Sequence, residues 1–307
     1  EQLGINSDLC DGCGLCAAAC PEQVIRDEQQ IPVLRNAHGR FALVSCERAG
    51  LEQGQSSHTC VHAIARRDLL RLHRNGIRDW YVLHPDCKAC SRAGGVTLSQ
   101  RLDEVNAVLR SWNQTVISAH SVSIDQWRQL GKTCRVDSPE ADLSRRGFLH
   151  RALANSGQQL LEQQIAVDQA TTACSENQWL AKGGAQQGRF FYAPVIDAEL
   201  CSGCDACTRV CPHQALEKRE QPQPCYLINP YHCSGCGLCS DVCESNAVEV
   251  NKYRVSRKMV IPLESSQCQS CGAQFHQPAR QQTSDRCRIC SHLDHQKLLF
   301  QVLPGDI

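Results

Sequence analysis

The stretches "CSGCDACTRVC" (residues 201–211) and "CSGCGLCSDVC" (residues 233–243) repeat one arrangement of four cysteines. In each stretch two residues separate the first three cysteines, and three residues precede the fourth. Three thiolates at this spacing wrap three corners of a cubic iron–sulfur cluster, while the fourth starts the next helix. Gly203, Gly235 and Gly237 allow backbone N–H groups to approach the sulfur atoms. The repeat therefore predicts two loops that bind metal clusters.

With the extended segments before each loop, residues 190 to 255 strongly resemble the bacterial two-cluster ferredoxins. The resemblance implies two [4Fe–4S] clusters, each taking its fourth thiolate from the other motif. One cluster would be held by Cys201, Cys204, Cys207 and Cys243. The other would be held by Cys233, Cys236, Cys239 and Cys211. Glu244 stands where that family usually has proline, which affects only the start of the helix.

A third motif of this kind, "LCDGCGLCAAACPEQ", occupies residues 9–23 and has no second copy before residue 201. We expect a further [4Fe–4S] cluster here, held by Cys10, Cys13 and Cys16. Its fourth ligand stays open at this point. In ferredoxin geometry the fourth cysteine points away, so a distant thiol completes the cluster; alternatively, the motif closes its own cluster. The candidates are Cys20, Cys134 and Cys174.

Residues 40 to 120 alternate between strand-like and helical patterns. We predict strands at "RFALVS" (40–45), "WYVLH" (80–84) and "QTVISA" (114–119), with helices between them, which together imply a small parallel sheet. Open sheets of this kind bind their ligands at the carboxyl ends of the strands. We expect four cysteines at that edge: Cys46, Cys60, Cys87 and Cys90.

The segments "SCERAG" and "TCVHAIARRDLLRLHRNGIRDWYVLHPDCKAC" resemble the delta subunit of methyl-viologen-reducing hydrogenases, although the spacing of the first two cysteines differs. The resemblance implies one [2Fe–2S] cluster on this middle set of four cysteines. The alternatives are a further [4Fe–4S] cluster, a structural zinc site and buried thiols without a ligand. Zinc carries no electrons, so a zinc site between ferredoxin modules would interrupt their electron flow. Iron–sulfur is therefore our prediction.

Near the C-terminus, the spacing C-x2-C-x15-C-x2-C is typical of a zinc ribbon. We predict a tetrahedral Zn²⁺ site, with a rubredoxin-type iron as the alternative, on Cys268, Cys271, Cys287 and Cys290. We expect His276, His292 and His295 to be solvated surface residues. The C-terminal third resembles ferredoxin subunits of hydrogenlyase-type and complex-I-related assemblies, where the ribbon would be a docking platform.

The composition and charge of the chain limit its compartment and its partners. Five groups of four account for all but three of the 23 cysteines, and free thiolates need a reducing compartment. Lysine plus arginine equals aspartate plus glutamate at 32 each, so the net charge indicates neither nucleic acid nor anionic lipid. No apolar run approaches a membrane span, and "SRRGFLH" (144–150) lies mid-chain before a segment too polar for export. We expect a cytoplasmic protein without direct membrane insertion.

We therefore predict an α+β multidomain chain with ferredoxin-like cluster modules, a small parallel α/β domain and a zinc ribbon. The predicted domains are an N-terminal ferredoxin-type motif (1–39), the α/β domain (40–124), a helical and polar linker (125–190), a two-cluster ferredoxin domain (191–256) and the ribbon (257–307).

No nucleotide loop or nucleophile–base pair is visible, so we expect an electron-transfer subunit rather than an enzyme. It would relay single electrons to or from a larger oxidoreductase: a hydrogenase, a molybdenum or tungsten enzyme, or a flavoprotein. The alternatives are an iron–sulfur scaffold or maturation protein and a redox-sensing zinc-ribbon regulator. The regulator would need a nucleic-acid surface that the neutral charge does not suggest.

Overall fold

The computed structural model describes residues 4–6, 8–22, 24–25, 29–37, 39–51, 57–92, 95–136, 175–180, 188–279 and 284–292. The chain divides into two compact units, residues 1–185 and 186–307. Several sheets and short helices confirm the α+β prediction at this level. In the part of the chain that is described, no helix combines the length and the apolar character needed to cross a bilayer. The motif at 144–150 and Cys174 lie outside the described residues.

The first unit is built on a five-stranded sheet in the order β4-β3-β2-β1-β5. Its strands are β1 (Val33–Asn36), β2 (Gly39–Ser45), β3 (Asp79–Leu83), β4 (Ser118–Ser121) and β5 (Arg135–Val136). Strands β2, β3 and β4 pair in parallel, as the pattern predicts. The short strands β1 and β5 extend the sheet antiparallel on its other side and were not expected. The predicted boundary at residues 39 and 40 falls within the β1–β2 hairpin.

The described residues of this unit form four α-helices: α1 (Leu15–Ala19), α2 (Arg66–Arg74), α3 (Leu98–Ser111) and α4 (Ile124–Thr133). Helix α3 begins at Thr97, whose hydroxyl accepts the Gln100 N–H while the Gln100 side chain accepts the Thr97 N–H. Ser123 and Gln126 start α4 in the same way, so both helices begin with a capping box. The predicted apolar face of α3 is buried along its length: Leu98, Leu102, Val105 and Leu109.

Strand β4 starts later than predicted, at Ser118 instead of residue 114. The side chain of Asn106 on α3 donates to the carbonyl of Ile117 and accepts its N–H, both at 2.8 Å. Because these bonds occupy both backbone groups of Ile117, sheet pairing begins only at the next residue. A long-range contact of this kind is not visible in a pattern of apolar residues.

Residues 175–180 of the predicted linker pack on the first unit. Residues Glu176–Trp179 form a 3₁₀ helix against α2, and Glu176 pairs with Arg66 at 3.0 Å. The carbonyl of Leu180 accepts a hydrogen bond from Gln114 at 3.0 Å, and the Leu180 side chain is fully buried. These contacts attach residues 175–180 to the α/β sheet.

The second unit contains the strands β6 (Gly188–Ile196), β7 (Leu216–Arg219), β8 (Cys225–Ile228), β9 (Val248–Ser256), β10 (Met259–Gln267) and β11 (Gln274–Pro278). Its helices are α5 (Ala206–Val210), α6 (Leu238–Asp241) and α7 (Arg288–His292). Strands β6 and β9 form an antiparallel pair, and the others form a sheet in the order β11-β10-β8-β7. The core is apolar and includes Leu216, Tyr226, Ile228, Ile261 and Leu263.

Strand β10 belongs to both modules predicted for this unit. Its first residues, from Met259 to Pro262, pair with β8 of the two-cluster module. Its later residues, from Leu263 to Gln267, pair with β11 of the ribbon. The β10–β11 hairpin of the predicted ribbon is therefore a direct continuation of the sheet formed by β7 and β8.

Candidate metal centres

The three cysteine loops share one backbone conformation. In each loop the residues just before and just after the second cysteine have positive φ, between 62° and 85°: Gly12 and Gly14, Gly203 and Asp205, Gly235 and Gly237. The second of these residues also precedes the short helix, α1, α5 or α6. Successive N–H groups in such turns form a concave site for anions, including iron–sulfur sites. The N-terminal motif thus has the same local geometry as the other two.

The fourth cysteines of the C-terminal pair cross over. Burial raises the pKa of the Cys207 thiol to about 12, and the thiols that add to the rise are Cys201, Cys204, Cys239 and Cys243. Burial likewise raises the pKa of Cys233 to about 12, with contributions from Cys239, Cys211 and Cys236. Cys243 thus lies near the first loop, and Cys211 lies near the second. Thiols this resistant to ionisation must lose their protons when a metal binds.

The space between the second loop and Cys211 suits a cluster. Cys211, Cys233, Cys236 and Cys239 line one pocket. The Ala215 N–H donates to the Cys211 sulfur at 3.2 Å, and the Ala247 N–H donates to the Cys243 sulfur at the same distance. A buried set of thiolates with N–H donors is the chemistry that iron–sulfur clusters require. The residues therefore fit a [4Fe–4S] cluster at this position.

Neighbouring strands cover both loops of the pair. A Cβ atom at Gly203 would lie 2.1 Å from the backbone oxygen of His276 on β11, and one at Gly235 would lie 2.4 Å from the Tyr192 ring on β6. Only glycine permits such close approach together with positive φ. The ribbon strand β11 therefore forms the cover of the first cluster loop.

Asp205 holds β11 against that loop. Its carboxylate accepts hydrogen bonds from the Tyr226 hydroxyl at 2.6 Å and from His276 Nε2 at 2.8 Å, and Lys218 lies 3.4 Å away. Burial favours a higher pKa for Asp205, but the bonds from Tyr226 and His276 outweigh it and lower the pKa. The expectation that His276 is a solvated surface residue is wrong. His292 and His295 have no described side chain.

In the N-terminal motif, Cys10 and Cys16 are exposed, and Cys13 and Cys20 are partly buried. The topology removes one candidate for its fourth ligand. Cys134 ends α4 and packs against Leu34, Phe41 and Leu43, near the start of β2. That edge of the sheet is opposite to the edge at which β2 ends in Cys46. The N-terminal loop lies at the Cys46 edge, where Arg92 bonds to both Asp11 and Glu47.

The middle cysteines meet at the carboxyl edge of the parallel strands. Cys46 follows β2 directly, Cys60 precedes the 3₁₀ helix Val61–Ala63, and Cys87 and Cys90 flank the 3₁₀ helix Cys87–Ala89 after β3. Burial raises the pKa of Cys87, and the thiols of Cys46, Cys60 and Cys90 add to the rise, so the four lie close together. The backbone N–H of Arg92 and the side chain of Arg48, 3.3 Å from the sulfur, lower the pKa of Cys90.

The C-terminal cysteines form a much tighter group. Among the described residues, they are the only such set whose ligand atoms all lie within 4.8 Å of one another: Cys268, Cys271, Cys287 and Cys290. Four sulfurs about 2.3 Å from one tetrahedral ion are separated from each other by about 3.8 Å. The sulfurs of Cys271 and Cys287 are 3.9 Å apart. The geometry fits a single ion, because a polynuclear cluster holds its thiolates further apart.

Backbone turns shape this tight site. Gly272 follows the first cysteine pair with φ of 73° and donates to the Cys268 carbonyl at 2.8 Å. The Cys287 N–H donates to the Cys268 sulfur at 3.2 Å and lowers the pKa of Cys268 to about 6. Burial instead raises the pKa of Cys290 to about 12. The first knuckle thus supplies a thiolate readily, while the last thiol must be deprotonated by the ion itself.

Comparison with known proteins identifies two segments. No curated protein matches the chain significantly. Residues 193–244 match the family model of a 4Fe-4S dicluster domain, and residues 3–25 match that of a 4Fe-4S binding domain. The two matches include all twelve cysteines of the three ferredoxin-type motifs. They support ferredoxin-like [4Fe–4S] segments, which point to an electron carrier.

Proposed function

We propose that the chain is a multi-cluster electron-transfer subunit that relays single electrons to or from a larger oxidoreductase. The partner would be a hydrogenase, a molybdenum or tungsten enzyme, or a flavoprotein. The two ferredoxin-type matches support the carrier role, since ferredoxin clusters exchange one electron at a time. In this function the protein's residues exclude water and direct N–H groups at the sulfurs, and these contacts tune the potentials.

The proposed cofactors follow from the five cysteine sets. Three [4Fe–4S] clusters would occupy the N-terminal loop, completed by Cys20, and the two crossed C-terminal sets. A [2Fe–2S] cluster, or a further [4Fe–4S] cluster, would occupy the middle set at the sheet edge. Zinc would occupy the tight C-terminal set and would stabilise the ribbon as a docking platform for the partner. These five sets supply the ligands that an electron relay along the chain needs.

The main observation behind the proposal is that, within each unit, two cysteine sets lie next to each other. In the second unit, Cys239 of one crossed set raises the pKa of Cys207 in the other, after the larger effect of burial. In the first unit, Cys13 of the N-terminal loop likewise raises the pKa of Cys60 in the middle set, again after the larger effect of burial. Adjoining sets are what electron transfer between centres requires.

The test is metal analysis of the full-length chain purified without oxygen. We expect about 14 iron with matching acid-labile sulfide and about one zinc per chain, corresponding to three cubane clusters, one binuclear cluster and one ribbon ion. About 16 iron would retain the relay but make the middle centre a cubane. About 8 iron with about two zinc would contradict the relay and leave a two-cluster ferredoxin on a metal-stabilised scaffold.

One observation favours a second function, that of an iron–sulfur scaffold or maturation protein. The N-terminal motif is open to solvent: Cys10 and Cys16 are exposed, and the side chains of Ile5 and Leu9 are 66% and 84% exposed. A scaffold delivers an exposed cluster to an acceptor, so the N-terminal cluster would move rapidly to an apo-ferredoxin. An electron-transfer subunit would retain it through repeated oxidation and reduction.

A further inference from the structure

Arg92 lies between the N-terminal loop and the middle cysteine set, and its side chain is only 9% exposed. One guanidinium nitrogen donates to the Glu47 carboxylate at 2.6 Å and to the Thr59 carbonyl at 3.1 Å. The others donate to the carboxylate of Asp11 and, at 3.3 Å, to its backbone carbonyl. Arg92 thus connects three segments that are distant in the sequence.

Each partner of Arg92 is the sequence neighbour of a proposed ligand. Asp11 follows Cys10, Glu47 follows Cys46, and Thr59 precedes Cys60. The backbone N–H of Arg92 also bonds to the sulfur of Cys90. A single buried residue therefore contacts segments that carry cysteines from both proposed centres of the first unit.

Other contacts hold the two loops together on the same side. Helix α1 packs against the 3₁₀ helix Val61–Ala63, which begins directly after Cys60. Gln29, beyond the N-terminal motif, accepts the Thr59 N–H at 2.9 Å and donates to the Thr59 hydroxyl at 2.6 Å. These bonds fix the segment before Cys60 relative to the N-terminal loop, with Arg92 between them.

The chemistry of the guanidinium suits this position. Its rigid planar fork carries five N–H donors on three nitrogens and so reaches acceptors on separate segments, whereas the three donors of a lysine all lie on one nitrogen. Its positive charge faces Asp11 and Glu47, whose side chains are 47% and 41% exposed.

We propose that Arg92 is the positioning residue that holds the N-terminal cysteine loop against the middle cysteine set, so that the two centres exchange electrons directly. This inference rests on the proposed function. In the exchange a single electron passes from one centre, which is oxidised, to the other, which is reduced, and no bond forms or breaks. The cation also favours the reduced state of both centres, because reduction adds negative charge beside it.

The test is Arg92→Gln in the full-length, cluster-loaded chain, followed by redox titration with electron paramagnetic resonance. We expect both centres to become harder to reduce, with the ratio of reduced to oxidised centre falling about tenfold at a fixed potential, or about 59 mV for a one-electron couple. The magnetic interaction between the two reduced centres should also weaken, because it falls with the cube of their separation. Arg92→Lys keeps the charge without the fork, so it should preserve the potentials better than the magnetic interaction.

Arg78→Gln is the matched control. Arg78 precedes β3 at the opposite edge of the sheet, where it bonds to the Thr115 hydroxyl at 2.6 Å. This variant should change neither potential nor the magnetic interaction. If Arg92→Gln keeps its full iron content and both measurements match the wild type, the inference is wrong. A wild-type chain that lacks either centre would instead contradict the proposed function.

If Arg92→Gln loses its clusters, Asp11→Asn provides a second test of the positioning role. This variant weakens the same contact from the more exposed side and removes a negative charge. We expect the magnetic interaction to weaken as in Arg92→Gln, while both potentials rise instead of falling. An unchanged magnetic interaction in Asp11→Asn would contradict the positioning role.

Discussion

Gly203 and Gly237 have similar backbone conformations, with φ of 73° and 84°, but different surroundings. The position of a Cβ at Gly203 is blocked by the backbone oxygen of His276, whereas no atom lies within 4 Å of that position at Gly237. The need for glycine in such a loop is evident from the cysteine spacing. The close approach of His276 cannot be inferred from that spacing, because it brings together residues that are far apart in the chain.

The substitutions Gly203→Ala and Gly237→Ala should therefore differ in cost. Gly237→Ala should lower the free energy of unfolding by about 1–2 kcal/mol, the cost of a left-handed non-glycine residue. Gly203→Ala should cost about 1–3 kcal/mol more, because β11 must also move away from the loop. Urea unfolding followed by cluster absorbance measures both. Equal losses would show that β11 does not cover the first loop as described.

At the scale of elements, β10 joins the ribbon to the two-cluster module. It pairs with β8 through its first residues and with β11 through its later ones, and β11 reaches Asp205 through His276. The cysteine spacing predicts two modules in sequence. Their continuity depends on strand pairing, which a cysteine pattern does not encode. The ribbon ion is therefore expected to stabilise the first cluster loop as well as its own knuckles.

Cys271→Ser tests this coupling. Loss of one ligand should release the ribbon ion and loosen β11, so the cluster of Cys201, Cys204, Cys207 and Cys243 should lose iron to a chelator several times faster. The clusters of the first unit should lose iron at the wild-type rate. Cys225→Ser is the control, since Cys225 lies in β8 outside all five cysteine sets. If Cys271→Ser removes the ion and leaves every rate unchanged, the ribbon does not support the cluster loop.

At the scale of the whole molecule, the two units should respond differently to pH because their buried groups differ. His73 is buried in the first unit, and its Nε2 lies 2.7 Å from the Thr115 carbonyl. Burial lowers the pKa of His73, and nearby Arg78 adds to the effect, although the Thr115 carbonyl opposes it. The unfolded chain therefore takes up this proton at higher pH than the folded unit does.

Acidification below about pH 6.5, the ordinary pKa of histidine, should thus destabilise the first unit. Protonation of His73 should lower its free energy of unfolding by at most about 1.4 kcal/mol per pH unit. Above that pH, the contribution of neutral His73 to the stability of the first unit is fully present. His73→Gln keeps a donor for Thr115 without a titrating ring. Thermal unfolding at pH 7 and pH 5 should show a smaller acid loss in His73→Gln than in the wild type. Equal losses of stability in the two proteins would exclude His73 as the source of the acid sensitivity.

Three features follow from the amino-acid sequence alone: the cysteine loops, the parallel order of β2, β3 and β4, and the buried face of α3. These features depend on spacings of two to four residues and on the period of each element, which local sterics and burial enforce. Two ferredoxin-type segments could be recognised on that basis. The close grouping of the last four cysteines is also predicted by their spacing as two knuckles.

Contacts between distant residues, in contrast, are evident only in the folded chain. Asp11 and Arg92 are 81 residues apart, and Asp205 and His276 are 71 residues apart. Strands β1 and β5 and the position of Cys134 at the far edge of the sheet likewise depend on long-range pairing. Such contacts form because the folded chain must pair its buried polar groups and strand edges, and a local pattern does not specify the partner.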